Sequence, residues 1–362
     1  MASDVLVFSN SFGFGPISRS FIFAKIFHEC FPDSNVILIV SAATGFTSNA
    51  SGFSVKTISD VRNRQNVADF LLPYYSSNTL VVSVMNRFAI DAAKERGMKT
   101  LLIDGLYWFW KNRPKEYDYV DYQIRCILPW QVEDYPSPSN ISYCVTPFEH
   151  IKAIESEGKT LLPVNGFITP YYIPAHDSYL HLMSLVANQI DDVLVVGNRD
   201  IQNKIGSVPF SALSKEEYVN EVSRCKEIIL NGGSNSFLEA ASSGKQILFS
   251  VPSNQSQYEL IRSIAGYLRR NIDEICPLIN TIAAHHKISE FQTEKEAVDY
   301  IAAKISDFLK RPNLNKQLRH MLKRQDEAKK IIQKFIGHIQ PILQGSNQRL
   351  VDILNELRGK LF

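Results

Sequence analysis

The sequence is poor in cysteine. Cys30, Cys126, Cys144, Cys225 and Cys276 are the five it has, scattered with no CxxC pair. An odd, dispersed set excludes a disulfide framework and a ribbon-type zinc site, and reads as reduced core thiols. Excess charge of one sign is also missing, since 39 Lys+Arg stand against 37 Asp+Glu for a formal net charge of +2. That balance argues against nucleic acid as a partner, which ordinarily leaves a clear basic excess. No run approaches the roughly 18 apolar residues that a membrane-spanning helix needs. The opening MASDVLVFSNSF has no basic stretch ahead of an apolar one. No secretory leader is expected from it, and the expected location is the cytoplasm. Sequons such as Asn49-Ala50-Ser51 then carry no meaning. No His/Asp/Glu/Cys spacing suits a metal, and no Asp-x-Asp follows a strand end. Neither GxGxxG nor GxxxxGK[ST] occurs.

What the chain does have is an apolar content of 45%, ordinary for a globular protein with a sizeable core. Its 362 residues suit one large domain or two of ordinary size. In the first half, strands are predicted at Asp4–Phe8, Asn35–Val40, Thr79–Val84, Thr100–Ile103 and Ile141–Val145, with helices over about 18–29 and 89–96. In the second half, strands are predicted at Val193–Val196, Glu227–Leu230 and Gln246–Val251, with helices over 215–224, 237–243 and onward from 256. Short apolar strands alternating with helices indicate parallel sheets covered on both faces. Between the halves, PVNGFITPYYIPAHDS (163–178) is rich in Pro and Gly and reads as a linker. From Glu294 the pattern is helical, broken at Pro312-Asn313. The predicted organisation is a Rossmann-like domain over 1–165, a second over 166–330, and C-terminal helices over 331–362 that can cross back to the first. Ligands of such sheets bind at the carboxyl ends of the strands.

The segment ILNGGSNSFLEAASSGKQILFSVPSNQSQYE (229–259) carries the densest chemistry. A strand that opens through glycines into a helix presents backbone N–H groups at the positive end of the helix dipole, which suits a diphosphate. Gly232 and Gly233 let the backbone approach a ligand without a Cβ. Ser234 and Asn235 add side-chain donors. Glu239 can accept both ribose hydroxyls, as acids do in dinucleotide folds. The alternative at this point is a tight strand-to-helix turn with a surface Glu.

The extended pattern resembles the donor-binding region of GT-B glycosyltransferases, in particular the MurG-like and UDP-glycosyltransferase-like enzymes and the related UDP-sugar hydrolases. The residues that carry the resemblance are Gly232, Gly233, Ser234, Glu239, Gly244, Lys245, Pro252, Gln255, Gln257 and Gly266. Phe237 departs from it, standing near where a small residue is expected. SNSFGFGPISRSFIFAKIF (9–27) is similar to the family's first glycine loop and helix, through Gly13, Gly15, Arg19 and Ala24. Here Pro16 stands where many members have His, a residue that often serves as general base. VNGFITP (164–170) resembles the hinge strand that enters the second domain, yet no glycine-tipped first strand follows it, which implies a trimmed second domain.

The resemblance implies an α/β, GT-B-like chain with two Rossmann-like domains facing across a cleft and a C-terminal helical tail. It implies that Asn231–Asn235, with Gly13 and Gly15, hold the donor diphosphate, that Glu239 holds the ribose, and that Gln255 or Gln257 meets the sugar. The activity expected is transfer from a nucleotide diphosphate sugar, a UDP-sugar first, to a small soluble acceptor, without metal or cofactor. UDP-sugar hydrolysis or epimerisation, and nucleotide-sugar binding without catalysis, are the alternatives.

Asp104 ends a strand just before Gly105, where a carboxylate can face a bound acceptor and take its proton. Glu149-His150 and His176-Asp177 are other candidate pairs. Tyr107-Trp108-Phe109-Trp110 follows Asp104. Trp108 and Trp110 are the expected acceptor-covering rings, and Lys111 and Arg113 can meet an anionic acceptor. The alternative is a packed loop with one or two core anchors.

Overall fold

The computed structural model describes residues 3–10, 14–42, 52–75, 78–109, 112–131, 138–155, 158–164 and 176–361. The chain forms two compact units, Met1–Glu149 with Ile342–Phe362, and His150–Pro341.

The first unit is built from β1 (Asp4–Phe8), α1 (Phe14–Cys30), β2 (Asn35–Ser41), β3 (Ser54–Ile58), α2 (Arg64–Leu71), β4 (Thr79–Val84), α3 (Arg87–Lys94), β5 (Lys99–Asp104), β6 (Tyr122–Ile127) and β7 (Ile141–Val145). Its seven strands are all parallel, in the order β3-β2-β1-β4-β5-β6-β7. Strands β1 and β4 are apolar at almost every position and buried on both faces, as a helix-covered parallel sheet requires. The chain winds outward from β1 to β3, then crosses to β4. The strand order therefore reverses between β1 and β4, and that switch point is where open α/β sheets bind ligands.

The second unit holds β8 (Thr160–Pro163), α4 (His176–Ala187), β9 (Val193–Val196), β10 (Phe210–Ser211), α5 (Lys215–Arg224), β11 (Glu227–Leu230), α6 (Ser234–Ser242), β12 (Gln246–Phe249), α7 (Gln255–Tyr267), α8 (Ile272–Ile275), α9 (Glu294–Leu309) and α10 (Leu314–Lys323). The sheet is parallel, in the order β10-β9-β8-β11-β12, with its switch point between β8 and β11. The second half does have a first strand, contrary to the expectation of a trimmed domain. It is β8, four buried residues in mid-sheet ending in a proline. Read as sequence, residues 160–163 fall at the end of the first domain, with Pro163 opening the linker. Three other strands were not predicted, among them the two-residue β10. Strand β3 is a polar edge strand, and β6 mixes Gln123 and Arg125 into its apolar positions.

Helix α11 (Gln325–Leu361) is 37 residues long and contains Pro341, at which the two units divide. Within the first unit, Asn347 Nδ2 donates to the Phe148 carbonyl at 3.0 Å, and Lys99 Nζ donates to the Lys360 carbonyl at 2.7 Å. Within the second, Lys329 Nζ lies 2.6 Å from Glu227, whose other oxygen accepts from Thr160 at 3.0 Å. A buried acid in mid-sheet is thereby neutralised by the helix that covers it. Among the described residues no helix is long and apolar enough to cross a membrane.

Phe237 explains its own departure from the small residue expected there. It has no exposed surface and stacks between Phe249 at 5.7 Å and Phe335 at 6.2 Å, joining α6, β12 and α11. Phe237→Ala should cost about 3–5 kcal/mol, as emptied aromatic core sites do. Urea unfolding of the full chain checks this, and a loss below about 1 kcal/mol would mean the three rings are not a shared core.

Candidate functional site

The chain leaves β11 at the switch point of the second sheet, and the two glycines there do different work. Gly232 has φ +87°, and a Cβ on it would meet the main-chain oxygen of Gln257 at 2.6 Å. It is glycine so that the turn can pass under α7. Gly233 is the N-cap of α6, with ordinary φ −66°, and a Cβ there would meet nothing closer than 3.8 Å. Packing therefore requires glycine at 232, and does not require it at 233, where the first N–H groups of α6 begin. Sequence reasoning gave both glycines the ligand role, whereas Gly232 is spent on packing.

Asn231 is 1% exposed, and its side chain meets the Tyr179 hydroxyl, which also meets Ser250. Burial raises the Tyr179 phenol, so it stays a neutral hydrogen-bonding link between α4 and the ends of β11 and β12. Asn235 is also buried, while Ser234 is half-buried at the first position of α6.

Glu239 is 2% exposed and forms an ion pair with Lys215 Nζ. Lys215 opens α5, whose N-cap Ser214 forms a reciprocal capping box with Glu217. The Lys215 ammonium also lies 5.5 Å from the Tyr218 ring, and the Tyr218 hydroxyl bonds to Ser236. Glu239 is therefore no surface acid, and a lysine that sequence reasoning missed is its partner. The spacing Ser214-x-x-Glu217 is the signal in the sequence that could have placed Lys215 at a helix start.

The two glutamines expected at the donor sugar instead hold main chain, Gln257 in its own loop and Gln255 in the segment before α9. Gln255 Nε2 donates to the carbonyls of Ile288 and Phe291 at 2.9 and 3.1 Å. Gln257 Oε1 accepts from the Ser253 backbone and hydroxyl at 2.7 and 3.0 Å. Asn254 caps α7, accepting from the Gln257 N–H at 3.0 Å. The N–H groups of Gln255 and Ser256 point to Glu294, the first residue of α9. Burial pushes the Glu294 carboxyl up to about 7, against the lowering effect of those donors, and its Oε2 is buried without a partner.

In the first unit, Gly15 lies in the first turn of α1, and a Cβ there would meet nothing within 4 Å. Pro16 fits the same turn, where a missing N–H costs no helical hydrogen bond. Gly13, Trp110 and Lys111 lie outside the described residues. At the switch point Asn86 is the organising residue. It caps α3 and donates from Nδ2 to the carbonyls of Ser9 at 2.9 Å and Val61 at 3.0 Å. One amide thus fastens the segment after β1 to the segment after β3. An Asn between an apolar strand and a helix was the sequence signal for it.

Asp104 has 0% exposure, and its Oδ2 accepts from Arg113 Nε at 3.0 Å. Arg19 of α1 is also buried, and its Nη1 donates to the Gly105 carbonyl at 2.5 Å. Burial pulls the Arg19 guanidinium below its ordinary value, opposed by Cys126, Asp104 and Cys144. A carboxylate with no open face, held by one guanidinium and acted on by another, is an anchor for the loop above it. That geometry does not fit the expected proton acceptor. Trp108 is half-buried, and its indole N–H is out of water with no acceptor. The other candidate acids are also engaged, Glu149 with Lys25 at 4.0 Å and Asp177 with Lys204 at 2.6 Å. Burial pushes His176 down to about 4.

The architecture has counterparts among solved structures. The spinosyn forosaminyltransferase SpnP matches over 100% of both chains with a TM-score of 0.59 and 10% identity. UGT71G1 of Medicago truncatula, complexed with UDP-glucose, matches over 94% of this chain and 98% of its own, with a TM-score of 0.50 and 9% identity. No family profile matches the chain, and no curated protein matches it by sequence. At this identity the likeness defines the fold: an α/β chain of the GT-B class, with parallel sheets and a long C-terminal helix.

Two outcomes follow from the site geometry. Gly232→Ala should destabilise by more than about 1–3 kcal/mol through clash and left-handed strain, while Gly233→Ala should stay within about 1 kcal/mol. Equal losses in urea unfolding would contradict the division between them. Glu294 holds its proton more tightly in the folded protein than at its ordinary value of 4.5. The stability it contributes is complete below about 4.5 and lost as pH rises through about 7. The melting temperature of Glu294→Gln should therefore gain on that of the wild type as pH goes from 5 to 8. A pH-independent difference would show that Glu294 does not titrate in this range.

Proposed function

We propose that the protein is a metal-independent glycosyltransferase that takes a nucleotide diphosphate sugar, a UDP-sugar first, and a small acceptor. The observation that carries this reading is the turn at the end of β11. There Gly233, on which a Cβ would make only ordinary contacts, opens a nine-residue helix at a sheet switch point, with a buried carboxylate in the same helix. The positive end of α6 suits a diphosphate and stabilises it as it departs, in the role a metal ion has elsewhere. Glu239 suits the ribose hydroxyls. Its partner Lys215 has a side chain 21% exposed at a helix start, against 2% for the acid. Donor binding draws that ammonium from Glu239 toward the diphosphate, so that the carboxylate is released to the ribose and both charges stay compensated. The sugar is read by groups at the mouth of the α7 loop other than the side chains of Gln255 and Gln257, which are committed to main chain.

The structural neighbours support this reading, one being complexed with UDP-glucose and the other a forosaminyltransferase. Pro16 favours a second reading, nucleotide-sugar binding without transfer, because proline moves no proton and donates no N–H.

Calorimetry against UDP, GDP, TDP and CDP and their sugars tests the donor site. One nucleotide should bind selectively. Glu239→Gln should weaken it roughly tenfold or more, the scale of hydrogen bonds to a charged group, and Gly233→Val should abolish binding while the fold is kept. No binding, or an unchanged Glu239→Gln, overturns the proposal. Product analysis with the selected donor then separates transfer from hydrolysis and from binding alone.

A further inference from the structure

Strand β6 brings to one face of the first sheet a cation with no acidic partner among the described residues. Asp104, Arg125 and Tyr143 are register partners on β5, β6 and β7, so their side chains stand side by side on the same face. Arg125 is half-buried. Its Nε donates to Gln123 Oε1 at 3.2 Å and its Nη1 donates to the Tyr143 hydroxyl at 3.0 Å. The Tyr107 hydroxyl is also within hydrogen-bonding reach of it. Every one of these partners is neutral. Asp104, the register neighbour of Arg125, is taken by Arg113, whose Nη2 donates to the same Gln123 oxygen at 3.1 Å. Arg19 acts on Asp104 as well, so two other guanidinium groups already draw on that carboxylate. A half-buried guanidinium without a counter-ion is an unfavourable arrangement for a protein standing alone.

Aromatic rings surround this charge. The Arg125 guanidinium lies 4.7 Å from the Tyr107 ring and 5.8 Å from the Tyr143 ring, and the two rings meet edge to face at 5.7 Å. The Arg113 guanidinium lies 5.6 Å from the same Tyr107 ring. The loop that supplies Tyr107 also carries Trp108, whose buried indole N–H lacks an acceptor. Planar guanidinium with planar phenols is a surface for a flat ligand that bears an oxyanion.

We infer that Arg125, Tyr107 and Tyr143 form a recognition site for the carboxylate of a ring-bearing acceptor. The inference rests on the proposed transfer reaction for its word acceptor, and on the first unit alone for the site. Arg113, the cation expected from the sequence for this task, is held by Asp104 and serves as a positioning residue.

The test compares 4-hydroxybenzoate, its neutral methyl ester and inorganic phosphate by calorimetry on the full chain. The acid should bind about tenfold more tightly than the ester, the scale of one charge-assisted hydrogen bond. Added salt should reduce the difference. Arg125→Gln should bring acid and ester together, Arg125→Lys should keep part of the preference, and the exposed Arg311→Gln should change nothing. Equal binding of acid and ester by the wild type, binding of neither, or an undiminished preference in Arg125→Gln overturns the site. Phosphate binding as tightly as 4-hydroxybenzoate overturns the ring-bearing class. Nucleotide-sugar binding is measured on the same variants and should be unaffected. Its loss in the wild type would reject the donor reading while leaving the acid preference standing.

Discussion

Parallel strand pairing is the constraint on which the rest depends. It sends every strand of a unit in the same direction, so all the carboxyl ends collect at one edge. The strands are apolar and covered, and the polar burden of the backbone falls on that edge. Asn86 meets it in the first unit, by tying the carbonyls of Ser9 and Val61. Asn231, Tyr179 and Ser250 meet it in the second. The side chains that look most available for chemistry in the sequence are therefore claimed first by the backbone. A ligand is offered what remains, chiefly helix N–H groups and residual charge.

The two units treat buried charge differently. In the second, the acids have cations of their own: Glu239 has Lys215, and Glu227 has Lys329. The exception is Glu294, which sits against the start of α7 and resolves its burial by holding a proton. In the first unit the imbalance runs the other way. Arginines gather around Asp104, and one of them has only neutral partners. Among the described residues, the second unit thus pairs its buried charges internally, while the first leaves a half-buried cation among neutral partners.

Much of the fold was legible because covered parallel strands are continuous apolar runs. Thr79–Val84, Ile141–Val145, Val193–Val196 and Glu227–Leu230 stand where hydrophobicity puts them. The strands that escaped have physical reasons for doing so. β3 is an exposed edge, β8 is four residues ending in proline, and β6 carries an arginine and a glutamine on one face. Missing β6 concealed Arg125. Site residues were less legible than strands. Adjacent glycines look alike in a sequence, and only the path of α7 distinguishes Gly232 from Gly233. Glutamines near a loop suggest a sugar contact, but Gln257 is bonded within the loop and Gln255 to the carbonyls of Ile288 and Phe291. Glu239 was visible as a lone acid in a small-residue helix, while its lysine partner lies 24 residues earlier and is joined to it only by folding.

The close approach at Gly232 also bears on how this sequence can evolve. The atom in the way of any side chain is a main-chain oxygen of α7, and main chain offers no smaller substitute. No single exchange elsewhere makes room, as a large-to-small change can in an ordinary core. Neutral drift is closed at this position. A lineage that abandons this glycine must rebuild the turn and reseat a whole helix together, so the glycine outlasts changes in whatever the neighbouring site comes to bind.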